Sequence, residues 1–421
     1  MQLHKFKEII LTLLNIVCHK NTKFLFHTPQ KADVLILDSI DANRLSAALL
    51  QGVNYAILDT RYGHDELKFK VYLSPKVAYF AICMLMTRQH PWVSYCYAVI
   101  RCVSPKVVID NIHLPFVLPL AQKMPNISFF VISNGFWNDV LDKSVVRSFY
   151  TYSLKETFQR CPQKISNFHI FCFGKKDSDI FRQCGLDEHT TGIHFHDIGS
   201  LFGDYIRSLK GCDINKNDHD IAFVSQCEHS SIIGNEEFQK LLVKNTSKAI
   251  TNLSRYIVEK KQRCLILLRG RPDFEHTEIA FYQSLFDESA QIEFHHNDNI
   301  FAVYEGLTKA PVIMSLFSTT GFEAMSWRKK AIFCLYDFTK IYKISSNKFK
   351  SDAEMLQWSL ENPEYTEFKK CLDGLIEINL SDYLSEVAEA TDYIIAGNSG
   401  KPAHLYIKDM ILSKLGEARL H

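Results

Sequence analysis

The chain has 421 residues, more than one hydrophobic core accommodates, and this length predicts two domains of about 200 residues each. Apolar residues make up 47% and charged residues 23%, which is typical of an ordinary soluble globular protein. The net charge of +1 provides no global basic field and therefore argues against nucleic acid as a partner.

The 12 cysteines are scattered along the chain, without a CxxC pair or zinc-type spacing. This usage favours a reducing, cytoplasmic compartment over a disulfide framework. Five cysteines occur in apolar runs and are expected to be small buried hydrophobic residues, namely Cys83, Cys96, Cys102, Cys264 and Cys334.

The N-terminal segment 9–17 is apolar, but it is interrupted by polar residues and is too short to cross a bilayer. It lacks a small-residue cleavage site, so a secretory signal is not expected. Its apolar residues keep helical spacing, which predicts an amphipathic helix packed on the core. Because lysines occur around it, the alternative is peripheral contact of residues 5–23 with the inner face of the inner membrane.

Apolar runs alternate with helical segments through the first half of the chain. Strands that alternate with helices of this length predict a parallel sheet with right-handed crossovers. The predicted strands cover 32–38, 54–59, 105–111, 127–135 and 168–174, and the predicted helices cover 42–50, 75–86 and 114–123.

A polar, turn-rich stretch near 210–218 separates two halves of the chain, and the alternation restarts after it. We predict an N-terminal domain over 1–203, a linker over 204–218 and a C-terminal domain over 219–421 that is helical beyond 351. The expected fold is α/β, with two doubly wound, Rossmann-like domains whose strand C-termini face a cleft. Predicted elements of the second half are strands over 221–226, 263–269 and 292–294 and a long helix over 238–260.

The stretch 312–325 is the most informative part of the sequence. An apolar run predicts a buried strand, a short Ser/Thr loop follows, and a helix is predicted to begin near Thr320. A second apolar segment, 331–335, completes a βαβ unit. Free backbone N–H groups and the helix dipole attract phosphate at such a helix terminus. Ser and Thr are also ordinary helix caps, so capping alone is the alternative.

Several segments together carry a resemblance to a known family. With them the chain resembles bacterial surface-carbohydrate and O-antigen biosynthesis proteins of the GT-B glycosyltransferase type, and in particular the retaining Kdo transferases that use CMP-Kdo in lipopolysaccharide assembly. The resemblance covers about residues 30–340 and is most specific at 318–324. The other segments are Asp110-Asn111, Asn134-Gly135, 198–200, 223–226 and 267–271.

The resemblance implies a nucleotide-sugar donor held by the C-terminal domain and a glycan or lipid-linked glycan acceptor held by the N-terminal domain. Four residues at strand ends are the candidates for the acceptor side. They are Asp110, Asn111, Asn134 and Gly135.

Glycosyl transfer requires charge stabilisation on the leaving phosphate. Arg269 and Arg271 are candidate cationic partners, because a guanidinium fork suits phosphate oxygens; a solvated turn is the alternative for both. In many GT-B enzymes an acid near Glu323 bonds the ribose hydroxyls, and a structural role is the alternative here. The remaining candidates on the donor side are Ser225, Gln226, Ser318, Thr319, Thr320 and Gly321.

A carboxylate is also needed near the anomeric carbon. In the resembling transferases we expect a nucleophilic Asp just after the strand 221–226, whereas this sequence has Glu228 there. Glu156 is a second candidate, as an acid or as an acceptor contact; the alternative is an exposed helical Glu. The histidines His229, His295 and His296 are candidate bases, with solvated loop residues as the alternative.

No Asp-x-Asp motif stands at a strand end, so we expect neither a metal requirement nor a cofactor other than the donor itself. Two other functions remain open at this stage. A sugar-nucleotide epimerase would share the architecture and the phosphate loop but act without an acceptor. A non-catalytic subunit that binds a glycan or a nucleotide would keep the loop and tolerate loss of Glu228.

Overall fold

The structure is a computed structural model, and three parallel sheets organise it. Within the part of the chain that the structure describes, two sheets have six strands each and the third is a two-stranded ribbon. The described residues are 22–37, 41–58, 69–86, 91–110, 114–133, 164–183, 188–209, 218–226, 236–269, 274–316, 318–336, 358–396 and 400–417.

The strands are short, as is usual for parallel sheets covered by helices on both faces. In chain order they are β1 (Thr22–Leu25), β2 (Val34–Ile36), β3 (Tyr55–Ile57), β4 (Phe69–Tyr72), β5 (Val107–Asp110), β6 (Ser128–Ile132), β7 (Phe168–Cys172), β8 (His194–Asp197), β9 (Ile221–Val224), β10 (Arg263–Leu267), β11 (Gln291–His295), β12 (Val312–Ser315), β13 (Lys330–Cys334) and β14 (Ser359–Leu360).

Helices connect these strands and cover the sheets. In chain order they are α1 (Ala42–Leu49), α2 (Pro75–Leu85), α3 (Pro91–Val103), α4 (Leu114–Lys123), α5 (Lys175–Gln183), α6 (Glu188–Thr191), α7 (Leu201–Ser208), α8 (Glu236–Lys260), α9 (Glu275–Gln283), α10 (Ala302–Leu307), α11 (Thr319–Ser326), α12 (Tyr365–Glu377), α13 (Leu380–Ile394) and α14 (Ala403–Glu417).

Strand order places a binding crevice in each six-stranded sheet. The C-terminal sheet has the order β11-β10-β9-β12-β13-β14, so the order reverses between β9 and β12. The N-terminal sheet has the order β3-β2-β5-β6-β7-β8, and its reversal lies between β2 and β5. In such sheets the crevice outside the strand C-termini at the reversal is where ligands bind. The predicted α/β fold with two doubly wound domains is therefore confirmed.

Alternation along the strands assigns each side chain to one of two layers. Leu35 of β2 and Phe129 of β6 pack into the outer core of the N-terminal sheet. Their neighbours Ile36 and Phe130 point to the opposite face and enter a core that also contains Leu267 of the C-terminal sheet. Successive side chains of a strand point to opposite faces, so one strand serves both layers. The two sheets thus share a continuous buried cluster on the sides that face each other.

The last part of the chain returns to the N-terminal sheet. Ile407 and Ile411 of α14 are buried in the shared cluster, and α14 packs against α1 and α7. Just before it, the Ala396 N–H donates to the Phe173 carbonyl at 2.7 Å. Backbone contact is so close here that a Cβ on Gly174 would lie 2.6 Å from the Ile394 carbonyl oxygen. The C-terminal helices, predicted to belong to the second domain, therefore contact both sheets.

Most predicted element bounds differ from the observed ones by a few residues. The linker predicted over 204–218 begins inside α7, and 210–217 lie outside the described residues. The tail predicted to be all helical contains β14, a two-residue edge strand paired with Phe333 and Cys334. A strand this short produces no periodic pattern in the sequence, which is why it was missed.

One of the five cysteines predicted to be buried is exposed. Cys83 lies on α2, whereas Cys96, Cys102, Cys264 and Cys334 are buried as expected. Because almost every residue of α2 is apolar, its hydrophobicity does not reveal which face points inward. The segment 9–17 lies outside the described residues. Among the described helices, none combines the length and apolar character needed to span a membrane.

Candidate functional site

The loop after β12 is organised by serine hydroxyls. Ser318 is the N-cap of α11, and its Oγ accepts a hydrogen bond from the Thr320 N–H at 3.2 Å. The Ser318 N–H in turn donates to the Oγ of Ser315 at 3.0 Å. The helix begins at Thr319, one residue before the predicted start. Ser318 therefore caps the helix, as one of the two interpretations of this stretch expected.

Arg269 connects the ends of three neighbouring strands. Its backbone N–H donates to the Ser225 Oγ after β9 at 2.9 Å. Its guanidinium Nη1 donates to the Ser318 Oγ after β12 at 2.5 Å. The sequence placed these three side chains at one sheet edge because the carboxyl ends of parallel strands converge there. The structure brings them together at the strand-order reversal of the C-terminal sheet.

Glu323 lies one turn into α11 and is buried between the two domains. Its Oε1 accepts hydrogen bonds from the Tyr304 hydroxyl, at 2.9 Å, and from the Ser200 hydroxyl of the N-terminal half. Burial raises the pKa of this carboxyl to about 7, while the two hydroxyl donors and the nearby guanidinium groups act in the opposite direction. The site therefore contains a carboxyl group able to exchange a proton near neutral pH.

Tyr304 and Arg44 complete the surroundings of this carboxyl. Burial, followed by the charge of Glu323, raises the pKa of the Tyr304 phenol well above its usual value, so the phenol remains a hydrogen-bond donor. Arg44 belongs to α1 of the N-terminal half, and its Nε donates to the Ile300 carbonyl at 2.7 Å. Its guanidinium also lies 5.9 Å from the centroid of the Phe202 ring.

These groups surround a pocket of about 220 Å³ between the two sheets. Both halves of the chain contribute to it, and two arginines from opposite halves face the same space. Its lining residues are Arg44, Phe202, Arg269, Asn297, Val303, Tyr304, Thr319, Thr320 and Glu323.

Four of the predicted donor-side residues line this pocket: Arg269, Thr319, Thr320 and Glu323. Ser225 and Ser318 do not line the pocket but accept hydrogen bonds from the backbone N–H and the guanidinium of Arg269, respectively. The Gln226 side-chain amide donates to the Ser225 carbonyl, a local contact. Gly321 serves close packing, because a Cβ there would lie 2.8 Å from the Phe333 ring.

On the predicted acceptor side the described residues include Asp110, which is buried at the C-terminal end of β5. It ends a strand at the order reversal of the N-terminal sheet. The other predicted site residues lie outside the described residues. These are Asn111, Asn134, Gly135, Glu156, Glu228 and Arg271, together with the candidate base His229.

The two remaining candidate bases are engaged in contacts outside the lining of the pocket. His295 contacts the Ala302 carbonyl through Nε2 at 2.8 Å, and burial followed by the charge of Lys309 lowers its pKa. His296 pairs with Glu275 at 2.5 Å on the surface. The described residues contain no group of three or more His, Cys, Asp or Glu able to hold a metal ion. The expectation of no metal requirement stays a prediction.

Sequence reasoning missed five of the lining residues: Arg44, Phe202, Asn297, Val303 and Tyr304. A signal existed for Arg44, because it lies in the first helix after β2, beside the strand-order reversal of the N-terminal sheet. The other four line the pocket only because the two halves dock against each other. Local sequence patterns do not predict that docking.

Solved structures with the same architecture cover nearly the whole chain. The wall teichoic acid polymerase TagF, soaked with CDPG, matches 100% of both chains at 13% identity and a TM-score of 0.51. This chain has the two-domain GT-B fold. MnaA of S. aureus, solved with UDP, matches 92% of this chain and 97% of its own at 12% identity and a TM-score of 0.52. A UDP-N-acetylglucosamine 2-epimerase matches the same shares at 10% identity and a TM-score of 0.53.

The GT-B comparison rests on structure alone. No family model matches the sequence, and no curated protein matches it either.

Proposed function

We propose that this protein is a glycosyltransferase of surface-glycan assembly that binds a nucleotide-activated donor in the pocket between its domains. The observation that carries the proposal is the contact of Arg269 with Ser318 at the start of α11. A guanidinium, the positive end of a helix dipole and the hydroxyls of Thr319 and Thr320 meet there. These are the groups that stabilise a leaving phosphate.

Arg44 extends the same argument to a second phosphate. It reaches the pocket from the N-terminal half, whereas Arg269 reaches it from the C-terminal half. Two guanidinium groups around one cavity suit a diphosphate better than a single phosphate. TagF was soaked with CDPG and MnaA was solved with UDP, a nucleoside diphosphate, which supports a donor of that class.

The narrower prediction of CMP-Kdo as the donor stays a proposal, and it competes with the diphosphate argument because CMP carries one phosphate. Glu323 is proposed to bond the ribose hydroxyls, as the GT-B resemblance implies, from its place in the pocket lining.

Glu228 and Glu156 stay the proposed catalytic carboxylates. The acceptor is proposed to be a glycan or lipid-linked glycan, bound on the N-terminal side at the cytoplasmic face of the membrane.

A sugar-nucleotide epimerase is the second candidate, because MnaA and the UDP-N-acetylglucosamine 2-epimerase share the fold at similar TM-scores. The two functions differ in their products. An epimerase converts the nucleotide sugar without an acceptor, whereas a transferase releases the nucleotide only when an acceptor takes the sugar. Product analysis with and without a glycan acceptor distinguishes them.

The donor class is tested by thermal shift with CMP, CDP, UDP, GDP and TDP. A matched nucleotide at a hundredfold excess over its Kd stabilises the folded protein by about 2.7 kcal/mol. We expect a diphosphate to do so in the wild type and to have a much smaller effect on Arg269→Ala. Arg263→Ala is the control, because Arg263 is exposed at the opposite end of the same strand. If no nucleotide shifts the melting temperature, the proposal is wrong.

A further inference from the structure

The outward face of α2 is apolar and exposed. Tyr79, Ile82 and Met86 recur at helical spacing on this face and are 64%, 58% and 80% exposed. The opposite face buries Val77 and Met84, and α2 packs against α3 through that side. Residues three and four apart share one face of a helix, so the outward apolar residues form a stripe that the core does not use.

The stripe continues beyond the N-terminal end of α2. Phe26 and Leu73 are 74% and 46% exposed there. The β1–β4 ribbon holds them near the helix, because the Leu73 N–H donates to the Leu25 carbonyl at 2.8 Å. We call the set Phe26, Leu73, Tyr79, Ile82 and Met86 the α2 surface. Exposed apolar side chains grouped on one helix face and the adjoining ribbon mark an interaction site.

The stretch of sequence that contains α2 carries charges of one sign. From residue 67 to residue 109 the sequence contains no Asp or Glu, although the whole chain has nearly equal numbers of acidic and basic residues. Three of the described cations in this stretch, Lys70, Lys76 and Arg101, are exposed. Over the same stretch the cations are Lys68, Lys70, Lys76, Arg88, Arg101 and Lys106.

We propose that the α2 surface docks on the anionic face of a lipid bilayer. Apolar side chains on one side of a helix enter the acyl boundary, while neighbouring lysines pair with acidic headgroups. The charge favours a bilayer over a second copy of this chain, which would bring the same cations to the contact. The proposal does not depend on the proposed catalytic function. It also differs from the predicted contact through 5–23, although that segment leads directly into β1 at the edge of the α2 surface.

Vesicle flotation of the full chain tests the proposal. We expect the wild type to float with vesicles of phosphatidylcholine containing 30% phosphatidylglycerol and to remain unbound with phosphatidylcholine alone. Ile82→Asp should lower the partition coefficient at least tenfold, because it places a carboxylate in the contact. Lys76→Gln should lower it severalfold and weaken its salt dependence.

Two matched controls separate this surface from general effects of the substitutions. Leu412→Asp makes the same change at a 46% exposed leucine of α14. Lys370→Gln removes an exposed lysine of α12. Both controls should float like the wild type. Equal losses in the control variants and the α2 variants would overturn the proposal.

Cys83 provides a second, site-specific measurement, because it is exposed on α2. Maleimide labelling of Cys83, located by peptide mass mapping, should be rapid in free protein and slow with the phosphatidylglycerol vesicles. Three further outcomes overturn the proposal. In the first, the wild type does not float with the vesicles. In the second, Cys83 is already protected from maleimide without vesicles, because another segment of the chain covers it. In the third, the wild type forms a dimer that Ile82→Asp dissociates, and neither protein floats.

Discussion

The Ser200 hydroxyl donates to the Glu323 carboxylate across the interface between the two halves of the chain. The same hydroxyl accepts a hydrogen bond from the Gly203 N–H at 2.9 Å and so caps α7. One side chain therefore fixes the start of a helix in the first half and partners a buried acid of the second. The pocket containing Arg44 and Arg269 is formed at this junction, so its shape depends on the docking of the two domains.

The first prediction follows from the pKa of Glu323, which burial raises from 4.5 to about 7. The folded protein therefore holds this proton more tightly than the unfolded chain does. The resulting stabilisation is fully present below about pH 4.5 and is lost as the pH rises through about 7. Glu323→Gln cannot ionise at this position, so its stability should not show this pH-dependent loss. Between pH 5 and 8 the free energy of unfolding of the wild type should fall by about 2.5 kcal/mol relative to the variant.

Urea denaturation of both proteins across this pH range checks the prediction. Tyr304→Phe provides a further test, because it removes one donor to the carboxylate and should move the wild-type transition to higher pH. Parallel pH profiles for the wild type and Glu323→Gln would show that Glu323 does not titrate in this window.

The second prediction concerns the loop at the start of α11. Ser318→Ala combined with Thr319→Ala removes the partner of Arg269 and one lining hydroxyl of the pocket. Nucleotide binding should weaken by about 1–3 kcal/mol, the range for lost hydrogen bonds to a charged group. Calorimetric titration with the nucleotide found by thermal shift measures this change. Ser326→Ala, at the other end of the same helix, is the control. Unchanged affinity in the double variant would contradict a phosphate at this loop.

The sequence predicted the C-terminal half of the pocket better than the N-terminal half. Ser225, Arg269 and Ser318 each follow an apolar strand, and parallel topology alone brings such positions to one edge. Arg44 lies in an amphipathic helix whose polar residues resemble those of any solvated surface. Its helix follows β2, beside the strand-order reversal, but its contact with the Ile300 carbonyl of the other half appears only when the two domains dock. Docking of two domains depends on side chains distant in sequence, which periodicity does not report.

Edge strands were also hard to predict. The strand β8 reads His-Phe-His-Asp, and its residues are half-buried or exposed. Central strands such as β5 are buried at every position and give continuous apolar runs. An edge strand lacks that constraint, so its composition resembles a loop.

The third prediction concerns imidazoles at this edge. The Nδ1 of His169 lies 3.1 Å from the Nε2 of His196, whose own Nδ1 lies 3.1 Å from the hydroxyl of Tyr406 on α14. Burial lowers the pKa of His169 to about 3 and that of His196 to about 4. The neighbouring imidazoles, among them His194, act in the same direction on both groups.

Two other charges face this cluster: Lys414 lowers the pKa of His169, and Glu188 opposes the shift at His196. Folding lowers both pKa values from 6.5, so the two neutral imidazoles contribute to the stability of the folded protein. This contribution is fully present above about pH 6.5 and is lost as the pH falls toward 4. Between pH 6.5 and 5 the free energy of unfolding of His169→Phe should fall by about 2 kcal/mol less than that of the wild type. Thermal unfolding across this range measures it, with the exposed His276→Gln as control. Equal pH slopes in the wild type and His169→Phe would contradict the prediction.

The last prediction concerns Glu228, which follows Ser225 and Gln226 in the sequence and lies outside the described residues. A retaining transferase needs either a carboxylate that attacks the anomeric carbon or a front-face route without one. If Glu228 is the nucleophile, Glu228→Gln should keep the fold and the nucleotide affinity while removing transfer almost entirely. Glu228→Asp should keep part of the activity, because the resemblance places a shorter carboxylate here.

Single-turnover transfer rates and the intact mass of wild-type enzyme incubated with donor alone test this role for Glu228. A sugar adduct that is absent from Glu228→Gln would support the covalent step. A Glu228→Gln enzyme retaining more than about a tenth of the wild-type rate has a barrier changed by less than roughly 1.4 kcal/mol, too little for a lost nucleophile. In that case Glu156→Gln is the next variant to measure, since a large loss there would transfer the role to Glu156 and a small one would favour the front-face route.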